Sequence, residues 1–256
     1  MKSVSEFDSP SSVSEHMQEL HNLVRSSAMM LTILCVFWSL FSGNLVSSWV
    51  QLISDQTVEN ELIMSIYAPF DWIQMRWSVV IMLSMVSLMP IISIKFYRFS
   101  RQGLYSSERY WLASVLGLSN AIIPLIILAV WTIGIPATFN LAKQFGYPET
   151  VSIRYDATAL FSLAIGFSWI LIVWSITLFS LTMTRVFGLM SDGKPRFRNR
   201  IMAISAGILI LSLPMEYDGL RLIISLIVVY IADYLSSTVR KTLRYKQDSA
   251  HNDSPA

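Results

Sequence analysis

Charged residues are scarce in this sequence of 256 residues: Asp, Glu, Lys and Arg make up 14%, whereas hydrophobic residues make up 54%. A soluble domain of this size usually carries about 25% charged residues. The deficit comes with several apolar runs of about 20 residues, the length that a helix needs to cross a bilayer. These runs are continuous rather than alternating, which argues against barrel strands. Composition therefore predicts an all-α, polytopic membrane protein.

Groups that carry metal or catalytic chemistry are also scarce. The one cysteine, Cys35, lies inside an apolar run, so no disulfide is available. His16 and His21 lie five residues apart, off the i, i+4 spacing of helical metal ligands, and His251 lies near the end of the sequence. No glycine-rich phosphate loop is present, and no carboxylate lies deep in a span, where a proton relay would need one. We therefore expect no enzyme activity, and no cofactor, metal or nucleic-acid partner.

The apolar runs predict six transmembrane helices in a single domain, residues 14–237. The predicted spans cover about residues 26–47, 72–94, 110–135, 157–184, 201–213 and 220–235. The fifth and sixth spans are short, because 13 to 16 residues reach only about 20–24 Å of the roughly 30 Å hydrocarbon layer. Residues 1–13 are rich in serine, which predicts a disordered tail. Residues 238–256 are predicted to form a polar tail. Ser14 is the predicted N-cap of an amphipathic helix that leads into the first span.

Lysine and arginine are unevenly distributed between the two sides of the predicted spans. Fifteen of the 19 lie on the side that holds both termini, the segment Lys95–Arg109 and the loop Arg185–Arg200. The other side holds Lys143, Arg154 and Arg221, with Arg76 near the border. Because lysine and arginine accumulate in cytoplasmic loops, both termini are predicted to be cytoplasmic.

A few polar and aromatic residues lie within or next to the spans. Arg76, one turn into the second span, either extends to the outer interface or forms a polar site among the helices. Asn120, in the third span, is expected to bridge two helices rather than to bind a ligand. Six aromatic residues lie near span ends, which is typical of an aromatic belt: Trp72, Trp77, Tyr110, Trp111, Trp131 and Tyr230.

Two carboxylates, Glu19 and Glu108, lie on the basic side of the predicted topology, near the membrane surface. Two interpretations remain open. In the first, each carboxylate is a surface acid that pairs with a neighbouring arginine, an interaction that contributes little to stability. Alternatively, the two carboxylates together receive a cationic ligand. Since a carboxylate binds an arginine through two parallel hydrogen bonds, such a site would suit a peptide with adjacent arginines.

The residues around these carboxylates resemble motifs of TatC, the multi-spanning core subunit of the twin-arginine protein translocase. His16-Met-Gln-Glu-Leu-His21 is similar to the family's His-x-x-Glu-Leu-Arg opening. Phe99-Ser-Arg-Gln-Gly-Leu-Tyr-Ser-Ser-Glu-Arg109 resembles its first cytoplasmic loop, and Pro214 with Glu216 resembles the Pro-Pro-Asp turn after its fifth span. The order and spacing agree over about residues 14–237.

The resemblance implies a multi-pass protein of the cell (cytoplasmic) membrane that binds twin-arginine signal peptides at its cytoplasmic face. The protein would nucleate an export site for folded proteins, driven by the proton-motive force. Its partners would be small single-span Tat subunits of the TatA and TatB type, twin-arginine precursor proteins, further copies of the chain and the lipid bilayer. The implied signal-peptide-binding residues are Glu19, Phe99, Leu104, Tyr105, Glu108 and Arg109. Pro214 and Glu216 would form an extracytoplasmic turn.

The sequence departs from the family pattern at several positions. His21 stands where the family has arginine, Gly103 where it has proline, and Met215 and Glu216 where it has proline and aspartate. Ser175 stands where the family has a glutamate in its fourth span. Ser175 is therefore the candidate contact with partner subunits, and how those subunits dock stays open.

Two other functions are compatible with the sequence. The first is the permease subunit of a small-molecule transporter, with the Arg185–Arg200 loop as the contact for a motor protein and the fourth-span hydroxyls Ser162, Ser168 and Ser175 facing the substrate. The second is a structural membrane protein that has lost translocation, which the missing fourth-span acid would allow.

Overall fold

The computed structural model of this protein describes residues 10–56, 64–65, 69–100, 106–144, 155–186 and 196–252. Its helices are α1 Pro10–Gln56, α2 Pro69–Ser100, α3 Ser106–Ala129, α4 Ile135–Gln144, α5 Ala157–Val186, α6 Arg196–Ser212 and α7 Arg221–Asn252. A π-helical segment, Val130–Gly134, joins α3 to α4, and a 3-10 turn, Met215–Tyr217, lies between α6 and α7. Strands β1 Met64–Ser65 and β2 Tyr155–Asp156 pair in parallel. The all-α prediction is confirmed apart from this two-residue pairing.

Four stretches among the described residues are long and apolar enough to cross a membrane: His21–Ile53, Phe70–Arg98, Leu112–Thr138 and Ala157–Arg185. They coincide with the first four predicted spans. Helix α6 has 17 residues and reaches about 26 Å. Helix α7 has 32 residues, but only its first half is apolar. The short fifth and sixth spans therefore stay predictions.

Several helices extend beyond the ends of the predicted spans. Helix α1 begins at Pro10, before the predicted N-cap Ser14, and runs through the first span without a break. Helix α2 continues past Lys95 to Ser100, and α7 continues to Asn252 through most of the predicted polar tail. The apolar run marks only the part of a helix that lies in hydrocarbon, and the same helix can continue into the aqueous phase. The predicted disordered tail lies largely outside the described residues.

The third span is predicted to end at residue 135, next to Pro136, but the helix does not end there. The helical path continues through α4 to Gln144. In the π segment before the proline, the Ile135 N–H donates to the carbonyl of Val130, five residues earlier. This wider turn starts a new helical segment in which Pro136 is the second residue. Because the first amides of a helix have no intrahelical acceptor, the missing N–H of Pro136 costs little there.

The chain divides into two compact units. Unit 1 contains Met1–Gln51 and Arg76–Ala121, and unit 2 contains Leu52–Met75 and Ile122–Ala256. In unit 1, side-chain hydrogen bonds join neighbouring helices. Between α1 and α2, Trp38 Nε1 donates to Ser87 Oγ at 3.1 Å. Such bonds are a common means of joining helices in an apolar environment.

Asn120 and Arg76 also contact neighbouring helices within unit 1. The Ser93 hydroxyl on α2 donates to Asn120 Oδ1 on α3 at 3.4 Å, so the predicted bridging role of Asn120 is confirmed. Arg76 Nε donates to Ser42 Oγ on α1 at 2.8 Å, while the rest of the Arg76 side chain remains exposed. The contact with Ser42 supports the predicted polar site among the helices, and extension of Arg76 to the outer interface stays a prediction.

Unit 2 is built on α5, against which α6 and α7 pack. Val173 of α5, Leu209 and Leu213 of α6 and Val228 of α7 form one buried cluster. Nearer the start of α5, the buried Phe161 ring meets Trp72 and Trp131 edge-on, with ring centroids 6.2 and 5.9 Å apart. Each such pair is worth about 0.5–1.5 kcal/mol beyond the area it buries. Two of the six residues assigned to the aromatic belt, Trp72 and Trp131, therefore pack against Phe161 within unit 2 and are half-buried, whereas Trp77, Tyr110 and Tyr230 are exposed.

Tyr217, in the turn between α6 and α7, is the residue that attaches this turn to α5. Its hydroxyl donates to the backbone carbonyl of Leu163 at 2.9 Å. Its ring lies against Gly166, where an added Cβ would be 2.6 Å from the ring Cζ. Burial raises the pKa of Tyr217 to about 12, with a smaller contribution from the charge of Glu216. Only glycine at position 166 permits this contact.

Gly166→Ala should lower the free energy of unfolding by about 1–3 kcal/mol, because the new methyl group overpacks the Tyr217 contact. Gly207→Ala on α6 is the matched control, since nothing lies within 4 Å of a Cβ at that position. The control should be neutral or slightly stabilising, because alanine favours helix over glycine. Thermal unfolding of the two purified variants measures the difference. Equal stability of the two variants would contradict the close contact.

Tyr217 should also make the protein sensitive to alkaline pH. The folded-state pKa of about 12 lies above the ordinary value of 10.0, so the neutral phenol stabilises the fold fully below pH 10. That contribution should be lost as the pH rises from about 10 to 12. Unfolding measured at a series of alkaline pH values should show a smaller decline for Tyr217→Phe than for the unaltered protein. Parallel declines in the two proteins would show that Tyr217 titrates normally.

Candidate functional site

The predicted signal-binding residues that the structure describes lie on three helices. Glu19 is on α1, Phe99 is the second-last residue of α2, and Glu108 and Arg109 are in the first turn of α3. Leu104 and Tyr105 lie outside the described residues. The segment predicted as a loop, residues 95–109, is therefore largely helical at both ends. A carboxylate in the first turn of a helix, such as Glu108, is favoured by the helix dipole.

Hydrogen bonds join the helices of unit 1 that carry the two acids. Lys95 Nζ on α2 donates to Ser26 Oγ on α1 at 2.6 Å, so these two helices are joined near the end of α2. The Ser93 hydroxyl on α2 donates to Asn120 on α3 and joins the second pair of helices. Glu19 precedes Ser26 on α1 and Glu108 precedes Asn120 on α3, so both residues lie on the parts of their helices that extend toward this end of unit 1.

The same end of unit 1 contains buried hydroxyl groups with unused hydrogen-bonding capacity. Ser27 Oγ on α1 and Ser100 Oγ on α2 are buried and have no hydrogen-bond partner among the described residues. Ser100 directly follows Phe99 and is the last residue of α2. A buried hydroxyl without a partner is energetically costly, so a group that binds here gains by supplying one.

Cations surround this end of unit 1. Arg25 and Arg98 are exposed, and Lys95 and Arg109 are half-buried. The local charge therefore opposes the binding of a positively charged peptide, except where a carboxylate offsets it.

Ser175, the candidate contact with partner subunits, is buried on α5. Its exposed fraction is 8%, whereas that of the next residue, Ile176, is 52%. Ser175 therefore offers a partner little accessible surface. The hydroxyl of Ser168, also predicted to face a substrate, donates to the carbonyl of Ala164 and accepts a bond from Trp131 Nε1. Its bonding is satisfied within unit 2.

Pro214 and Glu216 lie in a tight turn, as the sequence predicts. The Pro214 carbonyl accepts hydrogen bonds from the Tyr217 N–H at 3.2 Å and from Arg221 Nε at 3.3 Å. Glu216 is exposed. Gly219 has a φ of 82°, which favours glycine, and it leads the chain into α7. On which side of the membrane this turn lies stays a prediction.

An ion pair that the sequence reading missed joins α5 to α7. Arg185 Nη2 donates to Asp233 Oδ1, and the side chains are only 8% and 18% exposed. Arg185 follows the fourth predicted span and Asp233 lies near the end of the sixth, on the same predicted side of the membrane. This shared position could have predicted the pair. A charge pair so far from water requires both members, because either one alone would be left buried and uncompensated.

Asp233→Asn should lower the free energy of unfolding by about 3–5 kcal/mol, since it leaves the Arg185 guanidinium buried without its counter-charge. Asp218→Asn is the control. This change breaks the pair that Asp218 forms with Arg221, in which the Asp218 side chain is 72% exposed. It should lower the free energy of unfolding by less than about 1 kcal/mol. Thermal unfolding of both variants tests the difference. If Asp233→Asn is no more harmful than the control, the pair does not hold α7 on α5.

The described residues contain no group of three or more His, Cys, Asp or Glu side chains that could hold a metal ion. Their arrangement is that of an all-helical membrane protein with a polar, partly acidic end on unit 1 and an ion-paired end on unit 2. These features define the class of the protein as a multi-spanning helical membrane protein.

A family profile described as "Sec-independent protein translocase protein (TatC)" matches residues 15–217. The chain therefore belongs to the TatC family and is a subunit of the twin-arginine translocase type. No curated protein sequence matches the chain.

Two solved structures share its fold. "Crystal Structure of Twin Arginine Translocase Receptor- TatC" aligns with a TM-score of 0.59 and 16% identity, covering 87% of this chain and 99% of that chain. The structure of this receptor "in DDM" aligns with a TM-score of 0.58 and 16% identity, covering 86% and 99%. At this identity the likeness concerns the fold alone, and the family assignment from the sequence resemblance is confirmed by the profile.

Proposed function

We propose that this protein binds twin-arginine signal peptides at its cytoplasmic face and nucleates the export of folded proteins across the cell membrane. The observation that supports this most strongly is the pairing of the helices in unit 1. The bonds from Lys95 to Ser26 and from Ser93 to Asn120 join α1, α2 and α3, and Glu19 and Glu108 belong to the parts of α1 and α3 that extend toward the same end of the unit.

In the proposed mechanism each carboxylate receives one guanidinium through paired hydrogen bonds. This geometry selects arginine over lysine, whose ammonium group cannot bind through two parallel N–H groups. Arg109 holds the neighbouring position on α3, and the apolar and aromatic side chains of Phe99, Leu104 and Tyr105 would contact the residues that flank the arginine pair. The surrounding cations disfavour basic peptides that fail to engage both acids.

The proposed topology has six spans with both termini in the cytoplasm, so that the signal-binding end faces the compartment where precursors are made. Fifteen lysines and arginines on that side support this orientation. Small single-span Tat subunits and further copies of the chain would complete the translocation site. The proton-motive force would supply the energy, and the role of this chain would be recognition and assembly rather than enzyme chemistry.

Glu19→Gln combined with Glu108→Gln should weaken binding of a twin-arginine signal peptide by about thirtyfold or more, because each change removes the charged partner of a guanidinium. Fluorescence anisotropy with a labelled signal peptide and the purified full chain measures the affinity. Asp71→Asn is the matched control: Asp71 is an exposed acid at the other end of α2, and its loss should leave binding unchanged.

A peptide with two lysines in place of the two arginines provides a second control. The unaltered protein should bind it much more weakly than the arginine peptide, and the doubly substituted protein should bind the two peptides equally. Unchanged affinity of the doubly substituted protein for the arginine peptide would remove the proposed mechanism.

A further inference from the structure

The outward face of α6 combines exposed cations with exposed aliphatic residues. At 100° per residue, positions 196, 200, 204, 208 and 211 fall within an arc of about 120°. All five side chains are exposed: Arg196, Arg200, Ile204, Ile208 and Leu211. The opposite side of the helix carries the buried Ser205 and Leu209. We call the five exposed residues the α6 stripe.

The two arginines of the α6 stripe have no counter-charge within the part of the chain that the structure describes. No carboxylate there forms an ion pair with either of them, and the first turn of α6 contains no acid. By contrast Arg185, at the end of α5, is paired with Asp233. An exposed pair of arginines one helical turn apart leaves a local positive charge that an anion can neutralise.

The height of the α6 stripe matches one leaflet of a bilayer. Ile201 and Met202 pack against Leu181 of α5 and Ala232 of α7, so Arg200 lies at the same end of unit 2 as Arg185. From there, the 11 residues to Leu211 rise about 16 Å, close to half of the roughly 30 Å hydrocarbon layer. The stripe thus has its cations at the headgroup level and its aliphatic residues along the acyl-chain region.

We propose that the α6 stripe is a binding site for one anionic phospholipid. The phosphate of the lipid binds Arg196 and Arg200, and an acyl chain lies along Ile204, Ile208 and Leu211. A zwitterionic lipid fits less well, because its own cation repels the arginines. The site lies within unit 2, and its existence does not depend on signal binding.

Arg198 provides a matched control on the same helix. It carries the same charge and is also exposed, but it projects about 160° away from Arg196 and Arg200, over the buried side of α6. A general attraction between a basic helix end and an anionic surface would depend on all three arginines alike. A defined lipid site depends on Arg196 and Arg200 only.

The test is a titration of the purified full chain in detergent with phosphatidylglycerol or phosphatidylcholine, with bound lipid counted by native mass spectrometry. Arg196→Gln with Arg200→Gln should weaken phosphatidylglycerol binding about thirtyfold, and Arg200→Gln alone about fivefold. Arg198→Gln should change it less than twofold. Phosphatidylcholine should bind weakly and equally to every variant. Glycerol phosphate, which has the headgroup charge but no acyl chain, should not displace the bound lipid at equal concentration.

Thermal unfolding of each variant provides the folding control, and Arg196→Lys with Arg200→Lys should retain most of the binding because it keeps the charge. An equal loss for Arg198→Gln and Arg200→Gln would overturn the proposal in favour of diffuse attraction. Wild-type lipid binding by the double glutamine variant would also overturn it. If that variant instead loses a co-purifying single-span subunit while binding lipid normally, the stripe is a protein interface and the lipid site is refuted.

Discussion

The contact between Tyr217 and Gly166 is the constraint on which the packing of unit 2 depends. Helices in a bilayer gain little from burying apolar surface against one another, so their arrangement relies on close approach and on hydrogen bonds. Tyr217 supplies both, because its ring rests on the bare backbone at Gly166 and its hydroxyl binds the Leu163 carbonyl. At the other end of the unit, Arg185 and Asp233 join α5 to α7. The apolar cluster between these two attachments is thereby held in a single register.

In unit 1, polar contacts join the helices in addition to buried apolar residues. The bonds made by Lys95 and Asn120 link α1 to α2 and α2 to α3. Glu19 and Glu108 are 89 positions apart in the chain, and they lie on the parts of α1 and α3 that extend toward one end of the unit. The site proposed for two guanidinium groups depends on this pairing of the helices, because its two acids lie on different helices.

Arginine has two distinct roles in unit 2. Arg185 is buried and paired, and it contributes to the packing of α7 on α5. Arg196 and Arg200 are exposed on α6, next to aliphatic residues that face away from the rest of the unit. The difference follows from geometry, since a buried guanidinium must find its counter-charge in the protein whereas an exposed one can take it from the surroundings. The anionic lipid proposed for the α6 stripe is the partner that the surroundings of a membrane protein offer.

The sequence alone determined the class of protein, the first four spans, the helix-bridging role of Asn120 and the turn at Pro214. Each depends on a local property, such as the apolar length needed to cross hydrocarbon or the conformations open to proline and glycine. Tertiary structure decided the rest. The contacts of Tyr217 with Leu163 and of Arg185 with Asp233 join residues 54 and 48 positions apart, and no local window contains both partners. The two carboxylates were visible in the sequence, but the end of unit 1 that their helices share was not, because it follows from hydrogen bonds between helices.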